Sequence, residues 1–298
     1  MVVMRYAVIM PAMKEAAIGM KLPLSTFSFV LLILVAVLLT GAGNIINDYF
    51  DRKVDKINKP QNVIIGTKVK RRVAIVLHQS MNVLALFFTL IVCFTYSYYW
   101  PVIFPVFIAT ILWWYSPTLK MKFLIGNIAV AICTAAVPLW AVIFEMELLQ
   151  RRYSDMLVEP SEFFNNLWIV IAAISFFAFL LTLIREVLKD MEDVQGDIEG
   201  GYNTLPIKKG LGFAKRYAQM LYAFYVMSIG AIAIWMFTYR GQTITDIIIL
   251  LVLTLIPAVV AMIVTASAND RVGYHKASTS TKVVMLLGII YLIVARLV

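Results

Sequence analysis

Long apolar runs alternate with short polar connections along almost the whole chain. Apolar segments cover about 27–46, 73–96, 100–116, 123–144, 167–184, 217–239, 247–267 and 283–298, preceded by a shorter one at about 1–13. The runs Phe27 to Ile46, Val73 to Tyr96, Leu167 to Ile184 and Ile247 to Ala266 contain no Lys, Arg, Asp or Glu. Each is near or above the ~18–20 residues that a helix needs to cross a bilayer. Their few polar residues do not recur at the spacing that gives a soluble helix a water-facing side. The pattern predicts an all-α, polytopic membrane protein: a nine-helix transmembrane bundle in a single domain over 1–298. The first segment is interrupted by Arg5 and is too short to span. A partial first helix is expected there, from a late start codon or a shortened chain. A secretory leader fits poorly, because no small-residue cleavage site follows a clean apolar stretch.

Composition strengthens this reading. Of 298 residues, 62% are hydrophobic and 14% charged, with a mean hydropathy of +0.87. Soluble domains are about 45–50% apolar and about 25% charged. The net charge of +9 is distributed unevenly. The connections after the second, fourth, sixth and eighth segments hold 19 basic residues, and those after the first, third, fifth and seventh hold five, among them Lys14, Arg151 and Arg240. The positive-inside rule puts the first set in the cytoplasm. The protein is thus expected in the cell (inner) membrane with its active site toward the cytoplasm. The segment at about 145–166 then becomes an external connecting loop. With no basic stripe interleaved with aromatics outside the membrane, nucleic acid is not an expected partner; anionic membrane lipid is. Cys93 and Cys133 lie isolated in apolar runs, and His78 and His275 form no metal motif, so all four are read as structural or interfacial.

The acidic residues carry the chemistry. Nine of the 17 lie in two cytoplasmic stretches, Asn47–Asp55 and Glu186–Glu199. Each stretch has three aspartates at i, i+3 and i+7: Asp48, Asp51, Asp55, and Asp190, Asp193, Asp197. On a helix this spacing stacks them along one face, where they repel each other. Both trios end long apolar helices, where the helix dipole disfavours anions. Carboxylates beside a bilayer are rare without a function. A bound Mg²⁺ reverses the repulsion, since hard cations take carboxylate oxygens and share them with phosphate oxygens. A solvated helix end is the alternative for either trio alone; the repeated spacing favours metal and diphosphate.

Cations suited to phosphate lie nearby: Lys53, Lys68, Lys70, Arg71, Arg72, Lys120, Lys122, Arg185 and Lys189. Most of them also serve the positive-inside pattern. Lys120 stands out because it follows Trp113-Trp114-Tyr115-Ser116-Pro117-Thr118-Leu119 at a helix end. Tyr115 is placed to face a carbocation through its ring. For Trp113 and Trp114 an interfacial aromatic belt is the better account.

Asn47-Asp48-x-x-Asp51-x-x-x-Asp55 and Asp190-x-x-Asp193-x-x-x-Asp197 resemble the two signature motifs of the UbiA superfamily of intramembrane prenyltransferases. Asn58-Lys59-Pro60, Tyr115-Ser116-Pro117-x-x-Lys120 and Gly201-x-x-Thr204-Leu205-Pro206-x-x-x-Gly210 resemble it at the expected positions too. The chain departs from the family at its short first helix, at Gln61-Asn62 where an Arg-Pro pair is common, and at Met121-Lys122. The resemblance implies helices around a central cavity, with cytoplasmic cap loops at about 47–72 and 185–216. It implies Mg²⁺ held by Asp48, Asp51, Asp55, Asp190, Asp193 and Asp197. Catalysis is expected from Asp51, Asp193, Lys120 and Tyr115, and substrate binding from Asn47, Lys53, Lys68, Arg71, Arg72 and Lys189.

The implied reaction moves a prenyl group from a polyprenyl diphosphate, geranylgeranyl diphosphate in the closest reading, to a membrane-associated acceptor. Along its whole length the chain most resembles members that use geranylgeranylglyceryl phosphate as acceptor. Quinone-precursor prenyltransferases acting on hydroxybenzoate or dihydroxynaphthoate are the alternative. A CDP-alcohol phosphotransferase lacks its Asp-Gly-x-x-Ala-Arg element here. A divalent-cation transporter would need carboxylates within the spans.

Overall fold

The computed structural model describes residues 1–16, 21–58, 60–157, 159–239 and 243–295; Lys59 and Arg240 lie outside these. Helices account for nearly all of the described residues, with one isolated backbone bridge between Ile65 and Val69. Eight helices among them are long and apolar enough to cross a membrane. Large apolar side chains such as Phe27, Val83, Phe94, Ile103, Ile234 and Ile263 lie exposed on their outer faces. Water would penalise such surfaces and lipid does not. The chain divides into two compact units, Met1–Ser175 and Phe176–Val298.

The first unit starts with a π-helical turn, Met4–Ile9, running into α1 (Met10–Ala16). Then come α2 (Thr26–Asn58), α3 (Arg71–Tyr96), α4 (Trp100–Leu119), α5 (Ile125–Tyr153) and the first half of α6 (Pro160–Glu192). The first segment is therefore helical but short, as its apolar length requires. It is also well packed: Met4, Val8, Ile9 and Met13 are buried against Val142, Met146 and Leu149 of α5 and against Leu167 and Ile171 of α6. A second core joins Leu32, Val35 and Leu39 of α2 to Ala85 and Val92 of α3 and to Trp140 and Phe144 of α5. The Trp140 indole N–H donates to the Leu32 carbonyl at 3.1 Å, and its ring stacks on Phe104.

The expected external loop at 145–166 is corrected by the structure. Helix α5 continues to Tyr153 and α6 begins at Pro160, so most of that stretch is helical. The cause is Arg5. Its Nε lies 2.9 Å from Glu145 Oε2, its Nη2 donates to the Leu24 carbonyl, and its guanidinium sits 4.5 Å from the Phe29 ring centroid. Glu145 also accepts the Leu24 N–H at 3.1 Å. Arg5 and Glu145 are 2% and 1% exposed, so each charge is compensated where water cannot reach. The acidic residue that looked like a loop marker is half of a buried ion pair.

The second unit contains the rest of α6, α7 (Val194–Glu199), α8 (Leu205–Lys209), α9 (Leu211–Tyr239), α10 (Ile244–Ser267) and α11 (Arg271–Val294). Small residues make the seams: Ala214 and Ala218 of α9, Ala258 and Ala261 of α10, and Ala277 of α11 are buried, and the Tyr222 and Thr281 hydroxyls bond at 2.7 Å. Without a hydrophobic drive between helices in lipid, close approach at small residues and hydroxyl bonds hold such packing together. Within α10 a π-helical turn, Leu251–Leu255, precedes Pro257. A proline lacks the N–H and crowds the carbonyl four residues back, and widening the turn relieves both problems.

The buried pair gives a stability prediction. Glu145→Leu alone strands Arg5 and is expected to cost about 3–5 kcal/mol. The double variant Arg5→Met/Glu145→Leu should recover most of that loss. Thermal unfolding of the purified variants in detergent checks both.

Candidate functional site

The first aspartate trio sits on the last turns of α2, which stays helical through Asn58. Asp48 is exposed, and Asp51 and Asp55 are half-buried, so the i, i+3, i+7 face forms as the spacing predicts. Lys120 arrives from the end of α4. Pro117 disfavours regular α geometry there, and Tyr115–Leu119 forms a π-helical turn in which the Lys120 N–H donates to the Tyr115 carbonyl at 3.1 Å. The Lys120 ammonium pairs with Asp51 Oδ1 and lies 3.4 Å from Asn47 Oδ1. Lys120 is only 9% exposed, a placement an ammonium holds only beside an anion. The structure thus brings together Asn47, Asp51 and Lys120. Tyr115 is half-buried in the π turn that precedes Lys120.

Arg71, at the start of α3, also meets the first motif. Its Nη2 donates to the Tyr49 hydroxyl at 2.9 Å, and its guanidinium lies 4.6 Å from the Tyr49 ring centroid. Tyr49 stands between Asp48 and Asp51, so Arg71 is held at the edge of the trio. Lys53, Lys68 and Arg72 are exposed. Gly66, at φ +87°, turns the loop so tightly that a Cβ there would lie 2.8 Å from Arg52 Nη1. That packs the 63–70 loop beside α2, with Lys68 on it. Trp113 touches Phe50 and the ring of His78, whose Nδ1 bonds the Ala42 carbonyl of α2 at 2.9 Å.

The second trio departs from the single straight helix that its spacing predicts. Helix α6 ends at Glu192, Asp193 takes φ −97° and ψ 7°, and α7 starts at Val194. The Asp193 N–H still donates to the Lys189 carbonyl at 2.9 Å, and the Asp197 N–H to the Asp193 carbonyl at 3.2 Å. The result is a bend with its hydrogen bonds kept on both sides. Asp190 and Asp193 are half-buried and Asp197 is buried, with the Tyr202 N–H closing onto the Asp197 carbonyl at 2.9 Å. Lys189, expected at the substrate, lies 3.4 Å from Glu186, which also takes Arg185 at 2.5 Å. Two cations share one buried carboxylate there, which keeps all three charges beside an apolar helix. From α11, His275 Nδ1 reaches Glu192 Oε1 at 3.1 Å.

Among the described residues, no three His, Cys, Asp or Glu side chains form a ready-made metal cage. The donor chemistry nevertheless fits Mg²⁺. The aspartates offer hard carboxylate oxygens at the polar ends of helices, and Mg²⁺ is held through one or two carboxylates while keeping waters and phosphate oxygens. Sequence reasoning missed Tyr49, Glu186 and Glu192 as partners of the expected cations and of His275. Their position inside or next to the motifs was the one signal available.

The sequence profile of the UbiA prenyltransferase family matches residues 8–291. The chain is 32% identical over 189 residues to the digeranylgeranylglyceryl phosphate synthase of Methanothermobacter thermautotrophicus, a match covering 62% of this chain and 57% of that relative. It is 29% identical over 274 residues to the digeranylgeranylglyceryl phosphate synthase of Thermococcus kodakarensis, covering 90% of this chain and 86% of the relative. The chain therefore spans a little over half the length of the first relative and most of the second. Among solved structures, a UbiA homologue from Archaeoglobus fulgidus bound to DMAPP and Mg²⁺ has the same fold, with a TM-score of 0.58 at 17% identity over 100% of this chain and 97% of that one. With both aspartate motifs and all eight spanning helices inside or overlapping the matched range, the chain belongs to the UbiA prenyltransferase family.

Proposed function

We propose that this protein is a Mg²⁺-dependent intramembrane prenyltransferase that moves a prenyl group from a polyprenyl diphosphate to the hydroxyl of a lipid acceptor such as geranylgeranylglyceryl phosphate, releasing diphosphate. The observation that carries the reading is the Asp51–Lys120–Asn47 group, a buried ammonium held against an aspartate trio at a membrane helix end. The second trio repeats the spacing at the end of α6. Relatives across most of the chain are digeranylgeranylglyceryl phosphate synthases, and the Archaeoglobus homologue binds DMAPP with Mg²⁺.

In this reading each trio serves Mg²⁺ and diphosphate chemistry, with cap loops at about 47–72 and 185–216. Bound Mg²⁺ would neutralise the diphosphate and make it a better leaving group. Asp48, Asp51 and Asp55 of the first unit, and Asp190, Asp193 and Asp197 of the second, would each offer carboxylate oxygens to Mg²⁺. Lys120, already desolvated beside Asp51, stands ready to follow the charge to a phosphate oxygen. Arg71 on Tyr49, with Lys53, Lys68 and Arg72, adds positive charge for a diphosphate near the first trio, and Lys189 does so near the second. The Tyr115 ring offers its face to positive charge developing on the allylic carbon, and apolar walls keep water from that cation. The acceptor oxygen forms the new C–O bond as the bond to diphosphate breaks, and the hydroxyl proton is released. The uneven charge of the connections supports a cytoplasmic active face in the cell (inner) membrane.

Two experiments test the assignment. Asp51→Ala and Asp193→Ala should each lower turnover by on the order of 10²-fold or more, with melting temperatures near that of the unsubstituted protein. Mg²⁺-dependent activity retained in both would sink the assignment. A panel of prenyl diphosphates against acceptors, read by mass spectrometry, should yield an ether-linked product with geranylgeranylglyceryl phosphate. Prenylated hydroxybenzoate or dihydroxynaphthoate as the main product would transfer the enzyme to quinone synthesis.

A further inference from the structure

The turn between α4 and α5 is built more tightly than a connection requires. Leu124 adopts φ +56° and ψ −18°, a left-handed conformation that costs any residue with a branched side chain free energy. The Ile125 N–H closes a three-residue turn onto the Phe123 carbonyl at 2.7 Å. Two residues later the chain passes directly over Lys120. A Cβ added to Gly126 would lie 2.6 Å from Lys120 Cα, 3.1 Å from Lys120 N and 3.0 Å from the Leu119 carbonyl oxygen. These are backbone atoms, which cannot swing aside as a side-chain tip can. On the other flank, the π-helical turn Tyr115–Leu119 fixes the Lys120 N–H on the Tyr115 carbonyl. The backbone of one residue is thus clamped from both sides, and that residue is the lysine whose ammonium pairs with Asp51.

We propose that Leu124 and Gly126 are positioning residues for Lys120: the Phe123–Gly126 turn presses the start of α5 against the Lys120 backbone and so delivers its ammonium to Asp51 and Asn47. Gly126 matters because only a residue without Cβ allows the approach. Leu124 matters because its left-handed turn brings Gly126 there within two residues of chain. The catalytic consequence rests on the prenyltransferase reading; the placement of Lys120 does not.

The test therefore has a part that needs neither substrate nor Mg²⁺. In the purified, ligand-free protein, Lys120 should react slowly with an amine-selective ester, as peptide mass spectrometry would record, with exposed Lys208 as the internal standard. Gly126→Ala should raise Lys120 labelling several-fold and leave Lys208 unchanged. In the transfer assay the same variant should lose about 10- to 100-fold in kcat, yet cost nothing further in a Lys120→Met background. Unchanged Lys120 labelling, or losses that multiply in the double variant, would overturn the proposal. Should Gly126→Ala fail to fold, Leu124→Val is the second variant, because a β-branched side chain resists the positive φ that makes the turn, and the same two readouts apply to it. If the unsubstituted protein transfers no prenyl group, the functional reading fails while the labelling result still decides the placement.

Discussion

A charge beside hydrocarbon must find its partner inside the protein, and this constraint organises both units. Taking an ammonium or carboxylate out of water costs several kcal/mol unless an opposite charge meets it in good geometry. Among the described residues, three buried or half-buried carboxylates show how. Arg5 and Glu145 form a fully buried pair that also ties down the Leu24 backbone. Lys120 is carried to Asp51 by a π turn. Arg185 and Lys189 share Glu186 two turns and less from the second trio. In each case the partner comes from within a few residues or from a neighbouring helix of the same unit, so the charges are settled before any ligand arrives.

The first of these pairs is structural and the other two lie at motifs. The first and second differ in accessibility. Arg5 and Glu145 are closed off on every side, whereas Asp51 is partly open and Asp48, one residue from Asn47, is exposed. A half-buried aspartate can meet a cation from solution. One sealed beneath packed side chains cannot.

Much of this was legible in the sequence because the bilayer is a severe selector. Uncharged runs of helix-spanning length gave the eight spanning helices directly, although their ends were underestimated. Helix α6 was expected over about 167–184 and runs from Pro160 to Glu192, since its polar end turns continue the helix beyond the hydrocarbon. The aspartate spacing put Asp48, Asp51 and Asp55 on one face of α2, where they are. The same argument failed in part for the second trio, because spacing carries no information about the bend at Asp193. Glu145 was misread as a loop residue, since nothing local marks a carboxylate whose partner lies 140 positions earlier in the chain, at Arg5. The left-handed Leu124 was likewise invisible: leucine is among the last residues a sequence reader would assign a positive φ.

The π turn at Tyr115–Leu119 has a geometric consequence of its own. A helix that takes one extra residue into a turn shifts everything after it by roughly 100° about its axis relative to an unbroken α-helix. Seven residues on from Trp113, Lys120 would share its face in an unbroken helix, and the π turn rotates it off that face by about the same angle. Deleting one residue between 115 and 119 would close the turn to ordinary α geometry and leave the residues beyond it in place, so the span and the lysine's direction would both survive a change that counting along the sequence reads as a shift of face.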